Sequence, residues 1–386
     1  MHVITLYTES EVCIMCTEIL NEQNNSCFDK DATLVIKQEA IINNVKYIKE
    51  KTGAKIIAVV KENGYGLGVA NLYHIIKDQG IFMYAVTAPC EAIALRKEGC
   101  KEDILMLTPI SDFSELVTMV SLGVVIALGS ENQIPELLDV YKLTGKKPRV
   151  HIQIDSGLGR YGFNADDMLD FSKIKDSISI EGCFSHLAGS THNYKKSVEN
   201  QVRVFELALE KIRAAGVEPG ICHIANSKAA MTFGSLGYEA VRVGSAILGK
   251  VADNNELEEA VWLESKVFSV YERLEGEHIG YSGEAYLKRD SSLAVVRIGT
   301  GCGIGLVQKS VMDFSFINVL KNILKRINED PVLNVWINGK KSPVIGRIGV
   351  SHMTVDVTEN KVKEGDIVKI GVNPLLVHPY VERLVV

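Results

Sequence analysis

One lysine of the sequence stands where it could act as a nucleophile. Lys61 directly follows a β-branched apolar run, residues 56–60, which is typical of a strand buried on both faces. Burial disfavours the ammonium form and lowers the pKa of a lysine, and Schiff-base chemistry requires a neutral amine. Gly64, Gly66 and Gly68 follow, and they leave room for the close approach of a ligand. An ordinary surface lysine just past a strand is the alternative for this segment alone.

Other polar residues follow strand-like runs in the same manner. A glycine-spaced loop at 155–162 presents Arg160, and polar or small residues end or follow later runs: His186, Asn226, Ser227, Arg242, Gly244 and Ser245. Hydroxyl groups and glycine amides at the starts of helices can cradle a phosphate group. Taken one by one, these residues could equally be a loop arginine, a core histidine or a helix cap. Their joint occurrence at strand ends favours a common site with Lys61.

A scaffold of parallel strands would bring these residues together. Apolar runs that are mostly separated by helical segments predict eight buried strands, at 56–60, 83–87, 104–108, 124–128, 150–155, 180–186, 222–226 and 240–243. This alternation predicts an α/β fold, a (β/α)8 TIM barrel with its active site at the C-terminal ends of the strands. An open doubly wound sheet is the alternative, and the lack of a dinucleotide glycine fingerprint after the first strand disfavours it.

The pattern changes along the chain and predicts three parts. Residues 1–31 form an N-terminal extension of unknown role, and its Cys13 and Cys16 lack a coherent set of further ligands, so we expect no metal site. Residues 32–255, which start with a strand at 32–36, would form the barrel. Alternating segments in residues 256–386 predict a C-terminal all-β domain.

Composition excludes several classes of protein. The chain has 386 residues, a formal net charge of −6 and no apolar run long enough to span a membrane. We therefore expect neither nucleic acid nor a membrane as a partner. The acidic N-terminus is unlike a secretory signal, and the scattered cysteines are typical of reduced thiols, so we expect a cytoplasmic protein.

The motifs around these residues resemble those of the alanine racemase family. The matching segments are VVKENGYGLG (59–68), IDSGLGRYGF (154–163), EGCFSHLA (181–188), HIANS (223–227) and VRVG (241–244), in the order and at the spacing of the family. The resemblance extends from about residue 32 to near the C-terminus. It implies a fold type III enzyme with pyridoxal 5′-phosphate as cofactor, and an isomerase that interconverts L- and D-amino acids. Alanine is the first candidate substrate, followed by serine or a bulkier amino acid.

The resemblance also implies a role for individual residues near the cofactor. Lys61 would bind the cofactor covalently and act as one of the acid/base groups. The residues around the cofactor phosphate would be Tyr65, Asn226, Ser227, Gly244 and Ser245, and Tyr380 aligns with a further cofactor-binding tyrosine.

Other residues would act on the ring and on the substrate. His186 would pack against the pyridine ring, and Arg242 would face its nitrogen with His223 behind. Because an arginine does not readily give up its proton, the ring nitrogen would stay largely unprotonated and be a weaker electron sink. This suits reversible proton transfer rather than transamination. Arg160 and Val350 would lie near the substrate.

A second base is implied in the C-terminal part. The segment 277–286 resembles the family segment that carries this base, which falls on Tyr281. In the family this tyrosine enters the active site of the partner subunit, so the resemblance implies a head-to-tail homodimer.

Departures from the family pattern lie near the substrate. Gln153 stands where many alanine racemases have a carbamylated lysine, and the segments 297–303 and 346–352 replace family residues near the substrate and its channel. This pattern favours pyridoxal phosphate with altered specificity. A decarboxylase or aldolase of the same fold, or a non-catalytic cofactor-binding relative, are the alternatives, and the presence of both Lys61 and Tyr281 disfavours the last. The sequence leaves the true substrate and the pathway open.

Overall fold

The computed structural model describes residues 29–166, 169–189, 194–252, 254–283, 285–306 and 333–386. The chain divides into two compact units. One comprises the described residues of Ile36–Val261 with the last two residues, and the other comprises residues 29–35 together with the described residues of Trp262–Leu384. Cys13 and Cys16 of the predicted N-terminal extension lie outside the described residues.

The Ile36–Val261 unit is the predicted barrel of parallel strands. Numbered after β1 (Asp29–Ile36), its strands are β2 (Lys55–Val59), β3 (Met83–Val86), β4 (Asp103–Met106), β5 (Val125–Leu128), β6 (Arg149–Asp155), the short β7 (Phe163–Asn164), β8 (Ser179–Ser185), β9 (Ile221–His223) and β10 (Ala240–Val243). They pair in the order β10-β2-β3-β4-β5-β6-β8-β9, and each pair is parallel. Between β9 and β10, the two ends of this order, the backbone N–H of Arg242 donates to the carbonyl oxygen of Ala225 over 2.9 Å. The eight predicted strands are therefore confirmed.

Helices alternate with these strands. They are α1 (Gln38–Thr52), α2 (Val69–Ile76), α3 (Pro89–Lys97), α4 (Phe113–Ser121), α5 (Gln133–Thr144), α6 (Tyr194–Ala214) and α7 (Ser227–Phe233). The first illustrates why they form: Ala40, Ile41, Val45 and Ile48 recur at helical spacing and are buried. This helix ends at Gly53, whose φ of 61° lies in the left-handed region that glycine adopts without strain.

Apolar side chains of the barrel strands form a core cluster that borders the cavity of this unit. One cluster contains Ile57, Val59, Met83, Ala85, Leu105, Val125 and Ala240, and the partly buried Tyr65 and Leu107 pack against it. Val59, Tyr65 and Leu107 also line the main cavity of this unit. The core and the cavity therefore share one wall.

The other unit is an antiparallel sheet. Its strands are β1, β11 (Val261–Arg273), β14 (Ser291–Val296), β15 (Asn334–Ile337), β16 (Lys340–Ile345), β17 (Met353–Asp356), β18 (Ile367–Ile370) and β19 (Val381–Val385), with a hairpin of β12 (His278–Ile279) and β13 (Ala285–Tyr286). The order is β14-β17-β16-β15-β18-β11-β1-β19, and β11 also pairs with β14, which closes a ring. The all-β character predicted for this region is confirmed.

The first strand joins a different sheet from the one expected. The sequence predicted a strand at 32–36 at the start of the barrel, and β1 is present but lies between β11 and β19 of the antiparallel sheet. The physical reason is that a short apolar run specifies a buried strand without specifying which sheet supplies its hydrogen-bonding partners.

An ion-pair cluster ties three barrel strands together at their N-terminal ends. Arg149 of β6 makes two parallel hydrogen bonds of 2.6 and 2.9 Å to the carboxylate of Asp103 in β4. Its Nε and Nη2 atoms donate to Glu181 of β8 over 2.7–2.9 Å. The hydrogen bond from Arg149 holds the pKa of Asp103 below its usual value.

We expect Arg149→Met to lower the free energy of unfolding by about 1–3 kcal/mol at pH 7, because two half-buried carboxylates lose their cation. A carboxyl group with a lowered folded-state pKa contributes stability above its unfolded pKa of about 4, and this contribution is lost as the pH falls through the folded value. The difference between the variant and the wild type should therefore shrink from pH 7 to pH 3 in urea unfolding followed by circular dichroism. Lys142→Met is the control, since its exposed pair with Asp139 should contribute under about 1 kcal/mol. An undiminished difference at pH 3 would contradict the ion-pair explanation.

Candidate active site

The lysine identified from the sequence lies on an unusual turn. After β2 the chain forms the turn Lys61–Tyr65, in which Glu62, Asn63, Gly64 and Tyr65 have φ values of 51°, 54°, 65° and 55°. A residue other than glycine adopts this left-handed conformation at a cost of about 1–2 kcal/mol, so the surrounding structure must hold the turn in place. The result is that the side chains of Lys61 and Tyr65 line the same cavity.

The cavity lies at the C-terminal ends of the barrel strands and has a volume of about 500 Å³. It gathers most of the residues that the sequence predicted for a common site. Its lining includes Lys61, Tyr65, Arg160, His186, Asn226, Ser227, Arg242, Gly244 and Ser245. The expectation that these groups meet at strand ends is therefore met by the geometry.

Arg242 is the most deeply buried charge in the cavity wall, with 3% of its surface exposed. Its Nη1 donates to His223 Nδ1 at 2.8 Å and to the carbonyl oxygen of the same residue at 2.9 Å, while Nη2 donates to the carbonyl oxygen of Ser185. Burial, and then the nearby Arg160, lower the pKa of Arg242 to about 9, so the guanidinium keeps its proton at neutral pH.

A chain of buried histidines continues from this arginine. Because Arg242 can only donate, His223 must accept through Nδ1 and carry its proton on Nε2. That atom lies 3.0 Å from Nδ1 of His151, which must then accept. Burial holds the pKa of His223 well below its usual value and lowers that of His151 to about 3, so both rings are neutral.

His186 faces the same cavity. Its Nδ1 lies 3.4 Å from Arg242 Nη2. Burial, followed by the charge of Arg242, lowers the pKa of His186 to about 3. The imidazole is therefore neutral and offers a flat surface without a charge of its own.

Neutral hydrogen-bonding groups collect beside these rings. Ser227 Oγ accepts from the backbone N–H groups of Gly244 and Ala246 at 3.1 and 3.3 Å. Burial raises the pKa of Tyr65 to about 12, so its hydroxyl stays a donor. A Cβ atom on Gly244 would collide with Tyr65 Oη, which shows how closely the two approach. Neutral donors arranged in this way can bind an anion such as phosphate.

Asn226 holds the segment that carries Ser227. Its Oδ1 accepts from the N–H of Ala229 and caps α7, and its Nδ2 donates to the carbonyl oxygen of Leu187. Arg160 is exposed at the cavity lining, and its guanidinium lies 5.5 Å from the ring centre of Tyr161.

Several residues of the cavity lining were not predicted from the sequence. Thr87 and Thr108 each follow closely after a strand, β3 and β4, and the same rule that selected Lys61 could have found them. Lys228 also lines the cavity, with its Nζ 4.8 Å from the ring centre of Tyr194, and its position beside Ser227 was the available signal. Gln153 is buried, and its Oε1 has no hydrogen-bond partner within the described ranges.

Three predicted site residues belong to the antiparallel unit. Tyr281 begins a short 3-10 turn and is 62% exposed, while Val350 and Tyr380 are 73% and 59% exposed. Val350 and Tyr380 line a second cavity of about 850 Å³ together with Arg297 and His352.

The part of the chain that the structure describes offers neither a metal-binding cluster nor a membrane-spanning helix. It contains no group of three or more histidine, cysteine, aspartate or glutamate side chains that could hold a metal ion. None of its helices is long and apolar enough to cross a membrane.

Comparison with known proteins identifies the family. The model of the alanine racemase N-terminal domain matches residues 36–251, and the model of the C-terminal domain matches residues 260–375. Alanine racemase 2 of Caldanaerobacter subterraneus subsp. tengcongensis is 29% identical over 87% of this chain and 84% of its own length. The alanine racemase of Shewanella sediminis is 27% identical over 84% of this chain and 85% of its own length.

Solved structures share the fold. Alanine racemase from Clostridium difficile 630 superposes with a TM-score of 0.78 at 23% identity, covering 92% of this chain and 96% of that one. Alanine racemase from Streptomyces lavendulae gives a TM-score of 0.78 at 21% identity, covering 93% and 97%. Since the N-terminal family model alone matches more than half of the sequence, the chain belongs to the alanine racemase family, whose enzymes use pyridoxal 5′-phosphate.

Proposed function

We propose that this protein is a pyridoxal 5′-phosphate-dependent racemase that interconverts L- and D-alanine. The observation that carries the proposal is the convergence of Lys61, the protonated Arg242 and the neutral donors Tyr65 and Ser227 on one cavity. An amine, a hydrogen-bonding partner and an anion cradle are the groups that proteins offer to this cofactor at its aldehyde, ring nitrogen and phosphate, and the ring partner is an aspartate or an arginine.

The residues of the cavity fit the cofactor. Gly244 leaves space at the Tyr65 hydroxyl that a side chain would fill. Ser227 Oγ accepts hydrogen bonds from the backbone N–H groups of Gly244 and Ala246, which fixes the position of its hydroxyl group. We assign the phosphate to this region, with Tyr65, Asn226, Ser227, Gly244 and Ser245 around it. His186 would supply a neutral face for the ring, and Arg242 would be the partner of the ring nitrogen.

The chain's own residues then divide the work of racemisation. When bound, the cofactor withdraws electrons from Cα of the substrate and makes its proton acidic. Arg242 keeps its proton and so leaves the ring nitrogen unprotonated. Lys61 Nζ removes or delivers the Cα proton on one face of the substrate, and Arg160 orients the substrate.

A second group is needed on the opposite face, because one side chain rarely reaches both faces of Cα within hydrogen-bonding distance. We assign this role to Tyr281 of the partner subunit in a head-to-tail homodimer. The exposure of Tyr281 and the family resemblance of segment 277–286 support the assignment. Val350 is assigned to the substrate and Tyr380 to the cofactor, also on the basis of resemblance.

The cellular setting forms part of the same proposal. Among the described cysteines, Cys90, Cys100, Cys183 and Cys222 are free thiols. This fits a reducing cytoplasm.

The test of the proposed function is a panel of L- and D-amino acids. The purified protein should be yellow, change the chirality of alanine and release neither carbon dioxide nor aldehyde, because the bases act on the Cα proton alone. Borohydride should fix the cofactor to the wild-type chain, and Lys61→Ala should lose both the fixation and the activity. Release of carbon dioxide or aldehyde would identify a decarboxylase or an aldolase instead, and fixation at another lysine would refute the assignment of Lys61.

Gly244→Ala tests the phosphate cradle. The added methyl group would displace the Tyr65 ring, and overpacking of this kind costs about 1–3 kcal/mol, so cofactor affinity should fall about tenfold or more. Titration of the apoprotein by cofactor absorbance measures this. Gly371→Ala is the matched control, because a Cβ there meets nothing within 4 Å and its affinity should equal that of the wild type. Equal affinities for all three proteins would place the phosphate elsewhere.

Tyr281→Phe tests the second base. The variant should retain the cofactor, lose net racemisation and lose exchange of the α-proton of L-alanine in deuterated water, while exchange from D-alanine at the Lys61 face persists. Both enantiomers can be followed by NMR. Full racemisation by the variant would refute the two-base mechanism.

Mixing chains tests whether the site is shared. Inactive Lys61→Ala and Tyr281→Phe chains should regain activity when re-associated, because one of the two sites of each mixed dimer would be intact. Folded mixed dimers without activity would count against a shared site.

A further inference from the structure

Glu91 is a buried carboxylate with an unusual set of partners. It lies at the third position of α3 and is 7% exposed. Its Oε2 accepts from the backbone N–H groups of Thr87 and Ala88 at 3.0 and 3.1 Å. These two bonds are those of an ordinary helix cap.

The other oxygen of this carboxylate makes a contact that a helix cap does not explain. Glu91 Oε1 accepts from the backbone N–H of Asn63 at 3.0 Å, across 28 residues of sequence. Asn63 lies in the middle of the left-handed turn Lys61–Tyr65, with φ 54° and ψ 53°. One side chain therefore joins the turn after β2 to the segment after β3.

The turn needs such support. Consecutive left-handed residues persist only where their surroundings over-determine them. Asn63 is held a second time through its side chain, since Oδ1 accepts from the N–H of Val69 at the start of α2. A carboxylate acceptor forms charge-assisted bonds about twice as strong as those of a neutral one.

Lys61 depends on this turn more than Tyr65 does. The Tyr65 ring is also fixed by the apolar cluster beneath it and by Gly244. Among the described side chains, none makes a hydrogen bond or an ion pair with Lys61 Nζ, so the position of this amine follows from the backbone of the turn.

We propose that Glu91 is a positioning residue for the reaction of Lys61. Through the N–H of Asn63 it fixes the backbone that presents Lys61 Nζ to the aldehyde of the cofactor and to Cα of the substrate. This inference rests on the proposed function. Misplacement of a reacting group by about 1 Å can cost about 100-fold in rate, so the loss of one bond to the turn has a measurable effect.

The test shortens the side chain by one methylene group. Glu91→Asp keeps a carboxylate that can cap α3 but no longer reaches Asn63. Glu98→Asp is the matched control, because it makes the same change at the exposed end of the same helix. Each apoprotein is mixed with pyridoxal 5′-phosphate and, separately, with pyridoxine 5′-phosphate. The second compound lacks the aldehyde and therefore binds without a covalent bond to Lys61.

The proposal predicts a split between the two ligands. In Glu91→Asp the rate of covalent cofactor capture, followed by absorbance, should fall about tenfold or more, while the affinity for pyridoxine 5′-phosphate stays within about threefold of the wild type. The control should change neither. An equal loss of the capture rate and of the affinity for pyridoxine 5′-phosphate would show that Glu91 only stabilises the fold, which would overturn the proposal. An unchanged capture rate would also overturn it.

Two further arms keep the result interpretable. If Glu91→Asp fails to fold, Glu91→Gln gives the same comparison, since it keeps the length but has one acceptor oxygen for three N–H donors. A wild-type protein that captures no pyridoxal 5′-phosphate would refute the proposed function and, with it, the role of Glu91 that rests on it. An unchanged capture rate in Glu91→Asp beside a wild type that captures the cofactor would overturn the role of Glu91 alone.

Discussion

The barrel is organised around a buried guanidinium. Moving a charge out of water is costly unless hydrogen bonds replace its hydration, and Arg242 obtains these bonds from the ends of β8 and β9. The C-terminal ends of β8 and β9 must therefore lie level with the guanidinium of Arg242. The same requirement extends through the histidine chain to β6, where Gly182 of the adjacent β8 leaves room for the His151 ring: a Cβ there would lie 2.6 Å from Nε2. The charge of Arg242 thus constrains the ends of β8 and β9 that supply its hydrogen bonds.

The turn that follows the neighbouring strand β2, which pairs with β10, is held by a different principle. Its backbone is left-handed and strained, and a charge-assisted hydrogen bond from the N–H of Asn63 to Glu91, together with the bond from Val69 to the Asn63 side chain, holds it in place. A hydrogen-bonded cation and an amine on a constrained turn would fix the distance between the two groups that we assign to the cofactor. Such preorganisation reduces the rearrangement needed at the moment of proton transfer.

The sequence predicted the parts of the fold that depend on local pattern. Apolar runs predicted all eight barrel strands, and the residues that follow them predicted most of the cavity lining. The left-handed turn could not be predicted, because Glu62 and Tyr65 adopt a conformation that their own propensities oppose. Contacts between distant residues were also hidden: His151 and His223 are 72 residues apart, and only the barrel register brings them together. The sheet that receives β1 is a further choice made by tertiary pairing.

The charges of the cavity lining connect this structure to its chemistry. Lys61, Arg160, Lys228 and Arg242 are the basic residues of the described cavity lining, and Glu62 is the acidic one. Where many alanine racemases have a carbamylated lysine, Gln153 supplies a buried neutral amide in place of that negative charge. The lining therefore keeps a clear excess of positive charge. A ligand with two anionic ends balances this excess, and a phosphorylated cofactor joined to an amino-acid carboxylate is such a ligand.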